Sequence, residues 1–552
     1  MNSPFGLRAR GSFLPIRGEL DHDSNRERDK EGRQEYRRPP SHQLRLGVGR
    51  LSRKVPLTRS YAASMVHQIL VGDHAEEVAL PSDARILCAP PPLPPLEDPA
   101  AAIRRALDEP IGHAPLAELV GPASTVTVAF DDLTIPVVQM AAPDFRLSVI
   151  SVVLERLHAA GVRPENVRLI VANALHRKWT RSELSTVLGP VLSLLPPQRL
   201  LCHDACDADG LEFLGETQRG FEVEISRAVT EVDQFIYVNS TPSPMNGGWK
   251  STTVGLSSFR SIRHHHRPFP FARGHSIMDP ERSAFQRLLA ELGSVLERRL
   301  ERNGRRLFQI ETVLTNEIPA RMAWVGAGYP PDVHRQTLQV LGSQQRLAVD
   351  GQSDIGIWGL PNADPYSAHS RVNPILVANL ACAYTFGLYA RRPVVREGGI
   401  AIFGNPVDVG FARHHRSYPE LFNEILPRTT DPFEIWDTYA EDFAHRPEYV
   451  YAYRHQFSFH GAHPLFLWGQ TAFPRRHLAR IIIAGGADPE PVERMGFTHA
   501  PSIGDALELA RADLGGQPSV SVVHLPPAFI PEVRLASDEV PAGTENSVPA
   551  GR

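Results

Sequence analysis

The sequence predicts two α/β domains with largely parallel sheets, the second Rossmann-like, and a site in the cleft between them. Three observations carry this. The 552 residues exceed one ordinary hydrophobic core. Short apolar runs alternate with segments of helical spacing, the order of βαβ units. Such runs resume in a second series beyond residue 345.

Taken in order, residues 1–64 hold 14 Lys and Arg against seven Asp and Glu, a net of +7. The chain total is -4, which leaves -11 for the rest. This basic, aperiodic stretch is expected to be disordered. Its acidic residues disfavour organelle targeting. Met65 opens the well-patterned part and is a plausible alternative start.

Residues 65–345 are expected to form the first α/β domain. Pro90 to Pro95 is a stiff connector. Val126 to Phe130 reads as a buried strand. Leu147, Ile150, Val153, Leu154 and Leu157 then recur at helical spacing, with Asp144 as N-cap and Gly161 as the stop. Val167 to Ala172 is the next strand, so the pair should be parallel. Phe235 to Val238 is a third. Sites on parallel sheets form beyond the carboxyl ends of the strands. The three loops there carry Asp131, Asp132 and Thr134, then His176 and Arg177, then the approach to Lys250.

Residues 346–515 are expected to form the second domain, with strands at Ile355 to Trp358, Ile400 to Phe403 and Ile481 to Ile483. The aromatic- and histidine-rich stretch 405–475 reads as a lid-like insertion. Residues 516–535 are expected to return to the first domain, and 536–552 to be a disordered tail.

Composition narrows the function. The net charge of -4 argues against a nucleic-acid binder. Four cysteines are too few for a disulfide scaffold and fit a reducing compartment. No apolar run is long enough to span a bilayer, and no secretory leader is evident. A cytoplasmic protein with no membrane partner is the expectation.

Several residues invite chemistry. Lys250 follows the turn Asn246-Gly247-Gly248-Trp249, with His266 sixteen residues on. A lysine so delivered is either a covalent anchor or a surface residue. His176 directly follows a strand, where an imidazole can serve as acid or base or simply fill a polar turn. His264, His265 and His266 are either metal ligands or a solvated run. Cys202-His203-Asp204-Ala205-Cys206 lacks a second cysteine pair at structural-zinc spacing. No Gly-rich dinucleotide loop, P-loop or nucleophile elbow is present.

These residues together resemble the nickel-pincer lactate racemase family, from about Met65 to about Val533. Phe130-Asp131-Asp132-Leu133-Thr134-Ile135-Pro136 is similar to the family's cofactor loop. Ala172-Asn173-Ala174-Leu175-His176-Arg177 resembles its Ala-Thr-Gly-Thr-His-Arg motif. His203-Asp204 with Leu214-Gly215, Asn246 to Lys250, and Ser261 to His266 match further segments, the last two without a gap between them. The resemblance implies a pyridinium-3,5-bisthiocarboxylate mononucleotide tethered to Lys250, with Asp132, Thr134, Gly247 and Gly248 at the cofactor. It implies nickel held by His266, and His176 as catalytic acid/base. The implied reaction removes the hydroxyl proton of a 2-hydroxy acid while its hydride moves to the cofactor and back. The implied partners are that small molecule and the enzymes that make the cofactor.

The chain also departs from the family. Ile135 stands where the family has Arg. Ser240 stands where it has a second catalytic His. Ser367 and Ser370 stand where Gln and Lys hold the substrate, and are the expected substrate contacts. His369, Arg371, His414 and His415 are candidates for the missing functions. The expected activity is therefore racemisation or epimerisation of a 2-hydroxy acid other than lactate. The alternatives are a non-catalytic nucleotide- or nickel-binding relative and a one-handed 2-hydroxyacid redox enzyme.

Overall fold

The computed structural model describes residues 64–135, 138–272 and 276–539. The expected disorder of residues 1–63 and 540–552 falls outside them.

Val126–Asp131 and Val167–Ala172 pair in parallel, as do Val126–Asp131 and Gln234–Ser240. The full six-stranded order runs Met322–Gly328, Phe308–Leu314, Gln234–Ser240, Val126–Asp131, Val167–Ala172, Leu200–Cys202. Only the Met322–Gly328 edge is antiparallel to its neighbour. The central strand is buried on both faces, hence its unbroken apolar run. Its alternate residues serve different layers. Val126, Val128 and Phe130 pack with Val149, Ile150 and Val153 of the helix Phe145–Ala159. Ala129 faces the other way, with Leu296 and Leu300 of the helix Ala284–Glu301. Asp144 caps the first helix by accepting the Arg146 N–H at 2.8 Å.

The second sheet has eight strands. Ser353–Pro361 is central, flanked in parallel by Val395–Gly404 and Val520–Val523. Arg480–Ala484 and Thr498–Ala500 extend it in parallel. The mixed α/β architecture with largely parallel sheets is thus the one expected. Stretch 405–475 is helical, including Pro432–His445, Pro447–His455 and His463–Gly469, inserted between two adjacent parallel strands.

Three boundaries differ from expectation. The strands Ser64–Gly72, His74–Pro81 and Arg85–Leu87 belong to the second sheet, not to the domain that follows them. Val71 pairs with Leu360, and Ile86 with Val522. Residues 516–535 also complete the second sheet through Val520–Val523, and Ile530–Arg534 pairs with Arg346–Asp350 rather than with the first sheet. Ala536–Glu539 forms a 3-10 turn, where Asp538 ion-pairs with Arg392. The chain therefore opens its described part in the second sheet, visits the first, and returns to the second. Among the described residues no helix is long and apolar enough to cross a membrane.

Candidate active site

The carboxyl ends of Val126–Asp131, Val167–Ala172 and Gln234–Ser240 open on a cavity of about 790 Å³. The second sheet and the helical insertion supply its other walls, through Tyr366, Tyr384, His463 and Phe466.

The first loop is held rigidly. The Arg146 guanidinium donates to the carbonyls of Asp131 and Asp132 at 3.2 and 2.8 Å, and to that of Ile135. Asp131 accepts the Ser240 N–H at 2.9 Å and the Tyr237 hydroxyl at 3.1 Å. Burial pushes its carboxyl up to about 7, against those hydrogen bonds and Arg146. Asp132, 2% exposed, accepts from His176 Nδ1 at 2.9 Å. Its other oxygen takes the Thr134 N–H and hydroxyl. Burial alone would raise this carboxyl, but His176 and Thr134 hold it below the ordinary carboxylate range. Asp132 and Thr134, expected at the cofactor, thus have their polar atoms committed to each other and to His176.

His176 follows its strand through a tight turn with Ala174 at φ 48°. The His176 N–H donates to the Asn173 carbonyl at 2.7 Å. With Nδ1 donating to a carboxylate, Nε2 is the lone-pair nitrogen, and it makes no hydrogen bond among the described residues.

The Lys250 turn needs its glycines. Gly247 and Gly248 lie at φ 83° and 55°. A Cβ on Gly247 would sit 2.8 Å from Glu311 Oε1, His334 Nδ1 and Thr241 Oγ1. These atoms cannot move aside. Glu311 is fully buried, accepts the Gly248 N–H at 2.7 Å, and pairs with His334 at 3.1 Å. Gly247→Ala is therefore expected to cost about 1–3 kcal/mol through positive φ and this clash. Denaturant unfolding checks it; an unchanged midpoint would refute the clash. Glu311, His334 and Arg146 escaped the sequence reading, since nothing local ties them to this turn.

Lys250 lies on the first turn of Trp249–Gly255. The described residues contain two lysines, and Lys178 is paired with Asp204 at 2.8 Å. The Lys250 amine has no hydrogen bond or ion pair within 4 Å among them. Burial pushes it down to about 8, against the pull of Asp131 and Asp132. The free amine is the nucleophile, so acylation of Lys250 should rise as pH climbs through about 8. Asp131→Asn removes an opposing charge and should move that midpoint lower. Pulsed acylation with peptide mass spectrometry reads it; a midpoint moving upward would contradict the electrostatics.

Of the three consecutive histidines only His266 lines the cavity. His264 accepts the Glu222 N–H at 3.1 Å. His265 is buried and shares a proton with His266 between their Nδ1 atoms at 2.6 Å. Burial, with Lys250 and His176, pushes His266 down to about 3, so its imidazole is neutral, the ligating form. When its Nδ1 donates to His265, its Nε2 presents a lone pair to the cavity.

Other expected contacts fall elsewhere. Ser367 lines the cavity, but its hydroxyl donates to the Asp364 carbonyl at 2.8 Å inside its own turn. Ser370 donates to the Ser367 carbonyl and is not a lining residue. The serines thus stabilise a loop. Arg371 pairs with Asp73 and Asp408 outside the cavity. His414 and His415 bind the carbonyls of Ser367 and Tyr366. His369 lines the rim and is largely exposed. At Cys202–Cys206, His203 binds the Ser257 carbonyl and Asp204 takes Lys178 and Arg454. Among the described residues no three His, Cys, Asp or Glu side chains are placed to hold a metal ion together.

Part of the chain is similar to known proteins. Residues 71–276 match the lactate racemase N-terminal domain, a span that contains Asp132, His176, Lys250 and His266. Over 169 residues the chain is 27% identical to the lactate racemase of Lactiplantibacillus plantarum. Over 168 residues it is 23% identical to that of Thermoanaerobacterium thermosaccharolyticum. Each match spans 30% of this chain and 37% of the relative, little more than a third of its length. The fold is similar to the lactate racemase apoprotein of T. thermosaccharolyticum, at TM-score 0.61 and 18% identity, covering 85% of this chain and 100% of that one. It is also similar to a Thermotoga maritima protein, at TM-score 0.50 and 14% identity, over 79% and 98%. Over residues 71–276 the chain is similar to lactate racemases, from which it diverges widely in sequence.

Proposed function

We propose that this cleft inverts a 2-hydroxy acid other than lactate, using a nickel-pincer nucleotide tethered to Lys250. The observation that carries the reading is the convergence of Lys250 Nζ, His266 Nε2 and His176 Nε2 on one cavity, none of them engaged by another described residue. The donor set fits such a group. A lone neutral imidazole is too little to hold nickel by itself, so the remaining donors must arrive with the cofactor. The Gly247-Gly248 turn, packed against Glu311 and His334, sets an unpaired amine at the cavity. When bound, the group supplies a hydride acceptor at the carbinol carbon.

The chain's own residues do the rest. Asp132 fixes the His176 tautomer, and His176 Nε2 takes the hydroxyl proton and returns it. Lys250 and His266 position the group. Apolar side chains such as Phe271, Phe285 and Phe466 keep water from the reacting carbon.

A small carboxylate has little to hold it here. Ile135 lines the cavity at the position where the family carries Arg. Arg146 is committed to backbone carbonyls, Arg177 to Glu183 and the Trp179 ring, and Lys178 to Asp204. A larger, hydroxylated acid such as a sugar acid, held through its hydroxyls, suits this lack of free cations better than a three-carbon acid. Cofactor-making enzymes are the proposed partners. Loaded protein tested on a panel of 2-hydroxy acids should invert a larger member and leave lactate unchanged. No inversion by loaded protein would favour the non-catalytic binding alternative.

A further inference from the structure

We propose that His463, brought into the cleft by the helical insertion, is a second proton-exchanging imidazole paired with His176, an assignment that rests on the racemase reading above. His463 is the first residue of the helix His463–Gly469 and is 4% exposed. Its Nδ1 lies 2.7 Å from the hydroxyl of Tyr418, which is fully buried and cannot swing away. Its ring lines the cavity, and its Nε2 makes no hydrogen bond among the described residues. The ring stands edge-on to His176, 5.4 Å between centroids, and to Tyr366 at 4.9 Å.

The neighbouring histidines of the insertion do not line the cavity. His415 uses Nδ1 at Asn373 and Nε2 at the Tyr366 carbonyl. His414 binds the Ser367 carbonyl. His460 accepts the Ala462 N–H and stacks on Phe259, away from the cavity. His460 Nε2 also lacks a partner, but among these histidines only His463 lines the cavity.

Stereochemistry supplies the need for two groups. If both enantiomers present their carbinol hydrogen to one fixed acceptor and share one anchored substituent, the hydroxyl and the remaining substituent exchange places. The proton of each hand then leaves at a different point, and two neighbouring imidazoles cover both. In each case the substrate O–H bond breaks and an N–H bond forms at Nε2. The carbinol hydrogen leaves with its electron pair to the acceptor named above, and the reverse transfers restore both bonds. Tyr418 suits this exchange, because a hydroxyl can donate to Nδ1 or accept from it and so permits either tautomer. Burial and the neighbouring histidines keep the ring neutral, the form that accepts a proton.

Two measurements test the assignment. Native full-chain protein treated with diethyl pyrocarbonate and mapped by mass spectrometry should be carbethoxylated at His463 and His176; an unreactive His463 would overturn it. In loaded protein, single-turnover oxidation of each enantiomer of the acid found active in the panel should separate the hands. His463→Gln should lose one hand by ~10²-fold or more and His176→Gln the other. Tyr418→Phe, which keeps the ring packing, should slow the same hand as His463→Gln by a smaller factor. Equal loss of both hands in His463→Gln, or loss of neither, overturns the assignment of His463 alone. Wild-type loaded protein that turns over no acid overturns the racemase reading itself.

Discussion

Lys250→Ala is expected to abolish cofactor attachment and reduce turnover by ~10³-fold or more, because the tethered group performs the hydride chemistry that no side chain can. Lys250→Arg should fail as completely, although it keeps the positive charge, since a guanidinium cannot form the covalent link. The pair separates tethering from electrostatics. The Lys250 amine has no hydrogen bond to lose, so neither change should unfold the protein, and removing a desolvated amine should leave stability unchanged or raised. An arginine variant that retained turnover would show that Lys250 acts only as a charge.

The second large effect is expected at the Asp132–His176 pair. His176→Gln should lower kcat by ~10²–10⁴-fold with little change in KM, the range for loss of a positioned acid/base. Asp132→Asn should have the same sign and a smaller size, ~10–10³-fold, since an amide no longer fixes the His176 tautomer. Asp132 is held below the usual carboxylate range, so it stays ionised through neutral pH. Its protonation should therefore impose no loss of activity until the pH falls well into the acid range. Steady-state kinetics across pH reads both effects. Full activity in His176→Gln would remove His176 from the mechanism.

What could be read from the sequence follows physical lines. The strands Val126–Asp131, Val167–Ala172 and Gln234–Ser240 were legible because parallel strands buried on both faces leave unbroken apolar runs, and their loops then share an edge by geometry. The Lys250 turn was legible because Gly-Gly marks positive φ. The N-terminal hairpin's destination was not, because a pattern declares a strand but not its partner, and Val71 pairs with Leu360 nearly three hundred residues away. Ser367 and Ser370 misled because Asp and Ser in a tight loop bond their own backbone first. Asp132 was legible as a site residue but not as the His176 partner, which requires two strand ends to meet. His463 left no local mark, since its role depends on an insertion folding back over a sheet edge built from the other end of the chain.

The central claim is the tether, and intact mass combined with nickel analysis tests it most directly. Protein co-expressed with the cofactor-making enzymes should carry added mass localised to Lys250 and stoichiometric nickel, both lost in Lys250→Ala, while His266→Ala keeps the mass and loses nickel. An unmodified Lys250 with no nickel in the co-expressed protein would contradict the account.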